Sequence, residues 1–164
     1  MSILLVEPPE DDRPMYAEFL RANGFSVTEV DSTDAGLSAA TAADLIITGI
    51  RVPGSFDGVE LVRRLRGDKR TKDTPLIVLT TCAFEPDQAR AFAAGCDVFL
   101  PKPCLPAMLL AEARRLIAEA SGLRVRGNKA RVRSAVEQRN SEQLIATSDH
   151  LVKHTKRLTR RKRR

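Results

Sequence analysis

The chain has 164 residues and a formal net charge of +6, with 43% hydrophobic and 29% charged residues. These values are typical of a globular protein with one domain and an extension. No stretch approaches the roughly 20 apolar residues that a membrane span requires, and the first residues lack the basic start and apolar run of a secretory signal. We therefore expect a cytoplasmic protein without a membrane span.

The charges divide the chain into two parts. Residues 123–164 hold fourteen of the 27 basic and three of the 21 acidic residues, a net charge of +11. The other residues keep thirteen basic and eighteen acidic side chains, a net charge of −5. Such an asymmetry indicates two functional pieces. We predict a domain at residues 1–121, a linker at 122–131 and a basic amphipathic helix with a frayed end at 132–164.

Five short apolar runs alternate with helical patterns in the first part. The runs are residues 3–6, 25–30, 45–47, 76–80 and 98–100, and the helical patterns begin near Met15, Ser32, Val59, Pro86 and Pro106. Ser32 is a predicted N-cap, and Pro86 fits the first turn of its helix. Continuous apolar runs are expected for parallel strands that are buried on both faces. The alternation predicts a three-layer α/β domain with a five-stranded parallel sheet and helices on both faces.

The carboxyl ends of these strands are where a site is expected. Right-handed crossovers leave few strand orders, one of which is 2-1-3-4-5. In such sheets ligands bind beyond the carboxyl ends of the strands. The residues at those ends are Glu7, Gly49, Thr80 and Lys102.

Six segments of the chain resemble, in order and spacing, the motifs of response-regulator receiver domains. They are residues 3–7, 44–54, 57–61, 75–81, 94–97 and 100–103. No single segment is specific to the family, but the order and spacing of all six together are specific. The resemblance covers about residues 1–120. It implies a flavodoxin-like fold with strand order 2-1-3-4-5. It also implies a place in two-component phosphorelay signalling, with a histidine kinase or another regulator as protein partner.

The resemblance further implies roles for the residues at the strand ends. In the family an aspartate after the third strand accepts a phosphoryl group, and acidic residues after the first strand help it to hold Mg²⁺. A hydroxyl and a lysine bind the phosphoryl oxygens. Glu7 matches the first acidic residue, Thr80 the hydroxyl and Lys102 the lysine, while Phe99 matches an aromatic residue that changes rotamer.

Two of the family's carboxylates have no counterpart in this chain. Gly49 occupies the phosphoacceptor position, in a register fixed by Pro53 four residues later, and Pro8 occupies the position of the second acidic residue. Neither side chain accepts a phosphoryl group or binds a cation. We therefore expect no catalytic residue, no metal site and no cofactor, with Mg²⁺ binding weak or lost. We also expect a direct or water-bridged pair between Glu7 and Lys102.

Other carboxylates near the site have structural interpretations. Asp57 is a predicted helix N-cap, and Asp44 lies at the opposite end of its strand. Acidic side chains at the start of a helix interact favourably with its dipole, which accounts for Glu10, Asp11 and Asp12. One of them reaching toward the pocket stays open as an alternative.

The retained pocket residues also have structural interpretations. Thr80 fits a strand-end residue that bonds the next loop, and Phe99 fits a core residue. Lys102 belongs to a turn in which the family implies a cis bond before Pro103. Non-covalent anion binding by Thr80 and Lys102 stays open. The cysteines, Cys82, Cys96 and Cys104, form no CxxC pair and are expected to be reduced, buried thiols.

The second part combines a leucine repeat with a dense basic end. Leu144, Leu151 and Leu158 recur every seven residues, a weak coiled-coil pattern that allows a homodimer. The basic residues are Lys153, Lys156, Arg157, Arg160, Arg161, Lys162, Arg163 and Arg164. Such a cluster is typical of a solvated end, of sequence-independent contact with nucleic acid or another polyanion, or of attraction to anionic lipid.

Three functions fit these features. The favoured one is a receiver-like signalling protein that is not phosphorylated at the usual site and acts by protein–protein interaction. The alternatives are a receiver phosphorylated on a non-standard acceptor, and a receiver-based dimer whose basic tail binds polyanions. An independent enzyme fits worst, because no nucleophile, base and orienting residue converge at the strand ends.

Overall fold

The computed structural model describes residues 1–8 and 12–122, and in this part five strands alternate with five helices. The strands are β1 (Ser2–Val6), β2 (Ser26–Val30), β3 (Leu45–Thr48), β4 (Leu76–Thr80) and β5 (Val98–Pro101). The helices are α1 (Arg13–Ala22), α2 (Thr33–Ala39), α3 (Gly58–Gly67) and α4 (Glu85–Ala94). A last helix, α5, runs from residue 106 through the last described residue, 122.

The predicted elements are present, with ends that differ by one or two residues. Ser32 caps α2 by accepting a hydrogen bond from the backbone N–H of Ala35 at 3.4 Å, and Pro86 lies in the first turn of α4. Phe25 was expected to begin the second strand but precedes it, because its N–H donates to the carbonyl of Leu20 in α1 at 3.2 Å. A short 3-10 helix, Ala40–Ala42, follows α2 and was not predicted.

The sheet has the predicted topology. All neighbouring strands are parallel, and their order is β2-β1-β3-β4-β5. Val6 pairs with Thr48, so Glu7 and Gly49 follow at the same level on neighbouring strands. Because parallel strands end at the same edge of a sheet, the carboxyl edge gathers the residues that follow β1, β3 and β5.

Alternate residues of the strands supply two cores, one on each face of the sheet. One core packs strand residues against α2, α3 and α4: Leu4, Val6, Ile46, Leu76 and Val78 with Val59, Leu61, Val62, Leu65, Ala91 and Ala94. The other packs strand residues against α1 and α5: Ile3, Leu5, Leu45, Ile47, Ile77 and Leu79 with Tyr16, Ala17, Leu20, Leu109, Leu110, Ala113, Leu116 and Ile117. Burial on both faces explains the continuous apolar runs of the central strands.

The three cysteines are free and buried, as predicted. Burial raises the pKa of the Cys96 thiol to about 11, and burial also raises the pKa of the Cys104 thiol. Both thiols therefore stay protonated at neutral pH, which suits packing rather than nucleophilic chemistry.

Several predictions from sequence fall outside the described residues. They are the basic end, the leucine repeat and the linker apart from Gly122, which is still helical. Glu10 and Asp11 also fall outside this range. Within residues 1–8 and 12–122, no helix is long and apolar enough to cross a membrane.

Arg66 of α3 joins three segments on one side of the domain. Its guanidinium donates to the carbonyl oxygens of Thr74 at 2.7 Å, Lys72 at 2.9 Å and Gly95 at 2.8 Å. It also pairs with Asp97 at 2.7 Å. One side chain therefore holds α3, the loop before β4 and the turn between α4 and β5 together.

Replacing Arg66 with Ala should lower the free energy of unfolding by about 2 kcal/mol, because backbone carbonyls in a partly buried region lose a charged donor. Urea unfolding followed by circular dichroism measures the change. Arg63→Ala is the matched control, since Arg63 lies on the same helix but its ion pair with Glu60 is exposed; this variant should show no measurable loss. Equal losses in the two variants would contradict a connecting role for Arg66.

Candidate functional site

The carboxyl edge of the sheet brings together the four residues predicted from the strand ends. Glu7 follows β1, Gly49 follows β3, Thr80 ends β4 and Lys102 follows β5. Backbone hydrogen bonds extend the strand pairing to this level. The N–H of Gly49 donates to the carbonyl of Val6 at 3.1 Å, and the N–H of Lys102 donates to the carbonyl of Thr80 at 2.8 Å.

Glu7 and Lys102 form a direct ion pair, which confirms the predicted contact. The Nζ atom of Lys102 lies 3.0 Å from Oε2 of Glu7. Strands β3 and β4 separate the two residues, so their side chains together span three inter-strand spacings, roughly 14 Å. The Lys102 and Glu7 side chains are only 4% and 2% exposed. Since an isolated buried charge is costly, each group at this depth is stabilised by its partner.

Tyr16 of α1 covers the lysine from one side. Its ring centroid lies 5.9 Å from Nζ of Lys102, at the outer limit of a cation–π contact. Its hydroxyl donates to the carbonyl of Cys104 at 2.8 Å, which joins α1 to the loop after β5. Burial, and after it the neighbouring Cys104, raises the pKa of Tyr16, so the phenol remains a hydrogen-bond donor at neutral pH. The bond between Lys102 and Pro103 is cis, as the resemblance implies.

Arg13 holds the end of β1 from the other side. Its Nη1 atom donates to the backbone carbonyl of Glu7 at 2.8 Å, and its Nε atom pairs with Glu29 of β2 at 3.1 Å. Glu29 also pairs with Arg21 at 2.7 Å. A second cation therefore lies beside the backbone of Glu7. Neither Arg13 nor Tyr16 was selected from the sequence, because both lie in a helical pattern with no motif around them.

Gly49 lies against the carboxylate of Glu7. A Cβ atom built on Gly49 is 2.8 Å from Oε1 of Glu7 and 3.3 Å from Cγ2 of Val52. The first distance is shorter than real Cβ contacts, so the volume in which a side chain at position 49 would begin is occupied by Glu7. The backbone of Gly49 is also tightly covered, because a Cβ atom on Gly58 would lie 1.8 Å from its carbonyl oxygen.

Thr80 and Phe99 make structural contacts. Thr80 is 4% exposed, and its hydroxyl oxygen accepts a hydrogen bond from the N–H of Cys82 at 3.1 Å. Phe99 is half-buried and packs against the core beneath α2, α3 and α4. Its ring centroid lies 6.4 Å from that of Phe92 on α4. These contacts match the structural interpretations, and the role of Phe99 as a switch stays a prediction.

Two other carboxylates, Asp57 and Asp44, also have structural partners. Asp57 is the N-cap of α3, and its second oxygen pairs with Arg90 at 2.9 Å. Asp44 accepts from the N–H of Ser2 at 2.9 Å, at the opposite edge of the sheet. Asp12 occupies the N-cap position of α1 without a side-chain capping bond. The structural interpretations of Asp57 and Asp44 are confirmed.

A five-stranded parallel sheet of this order is the flavodoxin-like arrangement to which receiver domains belong. The family model for the response regulator receiver domain matches residues 3–114 of the chain. The chain belongs to the response regulator receiver domain family.

Individual receiver proteins are similar over the same region. The phosphate regulon transcriptional regulatory protein PhoB of Escherichia coli (strain K12) is 29% identical over 125 residues, which are 75% of this chain and 54% of PhoB. The polar-differentiation response regulator DivK of Brucella ovis is 29% identical over 107 residues, 62% of this chain and 84% of DivK. This chain thus spans about half the length of PhoB.

A solved structure shows the same fold. It is the receiver domain of a sensor histidine kinase from Pseudomonas aeruginosa PAO1, with a magnesium ion coordinated in its active site cleft. It is 29% identical, has a TM-score of 0.66, and the match covers 71% of this chain and 97% of that one.

Replacing Lys102 with Met should lower the free energy of unfolding by about 3–5 kcal/mol, because a buried carboxylate loses its ammonium partner. The double variant Glu7→Gln, Lys102→Met should recover most of this loss, since both buried charges are removed together. Equilibrium denaturation of the two variants and the parent measures the difference. A double variant no more stable than the single one would show that the loss does not come from an unpaired Glu7 charge.

Proposed function

We propose that this chain is a receiver-like signalling protein of a two-component phosphorelay that is not phosphorylated at the usual site. It acts by protein–protein interaction rather than as an enzyme. The observation that carries the proposal is the placement of Gly49 between the ends of β1 and β4, beside Glu7 and within the edge that Lys102 closes. Acyl phosphate formation needs a carboxylate nucleophile at this point, and glycine has none.

The nearest carboxylate is poorly suited to replace the missing acceptor. Glu7 is 1% exposed, so a phosphodonor has no open approach to it. Its Oε2 atom lies 3.0 Å from Nζ of Lys102. In this pair the Glu7 carboxylate and the ammonium that would bind phosphate are both shielded from solvent. Thr80 uses its hydroxyl oxygen to accept from the loop after β4. Lys102, which would bind a phosphoryl group, therefore already binds a carboxylate of the protein.

The donor atoms of the pocket do not suit Mg²⁺. This ion takes carboxylates, waters and phosphate oxygens in octahedral geometry and gives up its water reluctantly. Glu7 is directed to Lys102, Pro8 offers no side-chain donor, and Arg13 places a guanidinium at the Glu7 carbonyl. Residues 1–8 and 12–122 contain no cluster of three or more His, Cys, Asp or Glu suited to a metal. These features support weak or absent Mg²⁺ binding.

An output that does not depend on phosphorylation requires a surface that a partner protein recognises. Most of the exposed large apolar side chains of the described residues lie on or next to α4 and the start of α5, the helices on either side of the edge strand β5. They are Phe84, Phe92, Leu105 and Met108, which are 74%, 47%, 68% and 54% exposed. Exposed apolar side chains that gather on one surface mark interaction sites. A histidine kinase or another regulator is the partner class that the family suggests.

Incubation with acetyl phosphate and Mg²⁺ should leave the intact mass of the chain unchanged, because among the described residues the carboxylate beside Gly49, that of Glu7, is buried and paired with Lys102. Mass spectrometry of the undigested protein measures this, and a receiver that keeps its acceptor aspartate serves as the positive control under the same conditions. The addition of one phosphoryl group, mapped to any carboxylate near Gly49, would refute the proposal and favour a non-standard acceptor.

Replacing Phe92 with Ser should weaken binding of a protein partner by at least about tenfold, as expected for an aromatic residue at the centre of an interface. The measurement is titration calorimetry with a partner that co-purifies with the chain from its own cells. Met15→Ser is the matched control, because Met15 is also exposed and apolar (45%) but lies on α1. Equal affinities of the Phe92 and Met15 variants would exclude the surface formed by α4, β5 and α5.

A further inference from the structure

The backbone does not explain why position 49 is a glycine. The glycines with positive φ angles are Gly24, Gly54 and Gly95, so Gly49 has a φ angle that any L residue adopts. Its N–H and the preceding strand continue the regular pairing with β1. The reason for a glycine must therefore lie in what surrounds the missing side chain.

The surroundings of that missing side chain are mainly one residue. Of the three nearest heavy atoms to a Cβ built on Gly49, Oε1 at 2.8 Å and Cδ at 3.2 Å both belong to Glu7. The third, Cγ2 of Val52, is at 3.3 Å. Positions 7 and 49 follow the Val6–Thr48 pair on adjacent strands, which lie about 4.8 Å apart. Their side chains consequently compete for the same volume.

Glu7 cannot leave that volume without losing its charge partner. Its carboxylate is buried and lies 3.0 Å from Nζ of Lys102, and its backbone carbonyl is held by Arg13 at 2.8 Å. Turning the carboxylate away from Gly49 would pull it from the ammonium inside a region with little access to water. Breaking a buried pair is strongly unfavourable, so we expect a larger residue at position 49 to strain the ion pair.

We propose that Glu7 takes the place of the absent acceptor carboxylate as the internal anion that holds Lys102. In this arrangement Gly49 is required to make room for Glu7, and the pocket stays closed around Lys102 without a phosphoryl group or a metal. The role of Glu7 rests on the proposed function. It gives a physical reason why the receiver keeps one arrangement of its carboxyl edge.

A double-mutant cycle tests the coupling between positions 7 and 49. In the otherwise unchanged chain, Gly49→Ala should lower the thermal midpoint by roughly 5 °C or more, because the new methyl group displaces the carboxylate from Lys102. In the background Glu7→Ala, Lys102→Met, the same substitution should leave the midpoint unchanged or raise it. There the methyl group enters vacated space, and Ala restricts the unfolded chain more than Gly does.

Gly67→Ala is the matched control for this cycle. Gly67 ends α3, and no heavy atom lies within 4 Å of a Cβ built on it, so its substitution should have the same effect in both backgrounds. An equal effect of Gly49→Ala in the two backgrounds would overturn the proposal, since it would show that Glu7 moves aside without loss.

A second measurement does not depend on the folding of the background variant. The side-chain ¹⁵Nζ signal of Lys102 should be visible in nuclear magnetic resonance of the parent and of Gly67→Ala, because the ammonium is shielded from solvent exchange. It should be lost in Gly49→Ala, and its persistence there would overturn the proposal. Phosphorylation of a distant carboxylate would refute the proposed function but leave the coupling between positions 7 and 49 intact. An absent coupling would refute the present proposal but leave Gly49 without a carboxylate to accept a phosphoryl group. The two failures are therefore distinguishable.

Discussion

The ion pair between Glu7 and Lys102 connects the end of β1 to the end of the edge strand β5 across the carboxyl edge of the sheet. Both side chains are almost fully buried, and this burial makes their contact a constraint on everything around it. The loop after β5 must deliver Lys102 toward β1, and Tyr16 ties that loop to α1. Arg13 fixes the end of β1 against β2. The closed edge is thus a consequence of keeping two opposite charges together away from water.

This charge arrangement differs in kind from one that needs a metal. A pocket of several carboxylates is repulsive by itself, and a divalent cation relieves the repulsion. Among the described residues, the carboxylate of Glu7 meets the ammonium of Lys102 within the protein, so this pair supplies both signs of charge. Under the proposed function, the electrostatic balance that a metal and a phosphoryl group would provide is replaced by two side chains. Under that proposal, such a balance would not respond to a phosphodonor.

Much of the fold was predictable because its signals are local. Apolar runs predicted the strands and their burial, and the positions of Ser32 and Pro86 predicted two helix starts. The pair between Glu7 and Lys102 was also predictable, because parallel strands end at one edge. Tyr16 and the close approach of Gly49 were not. A tyrosine in an amphipathic helix looks like a core residue, and the distance from Gly49 to Glu7 depends on how far one side chain reaches into the volume of another.

Under the proposed function, the scaffold tolerates the absence of a nucleophile because most of its packing lies in the two cores. The two cores pack the faces of the sheet, whereas Gly49 lies beyond the end of its strand and contributes no side chain to either. The surface formed by α4, β5 and α5 is joined to the core by Phe99, which packs against the core and contacts Phe92. Position 49 takes no part in these contacts. Under the proposed function, chemistry at the edge and recognition at the surface are therefore physically separable, so a receiver without the first would retain what it needs for the second.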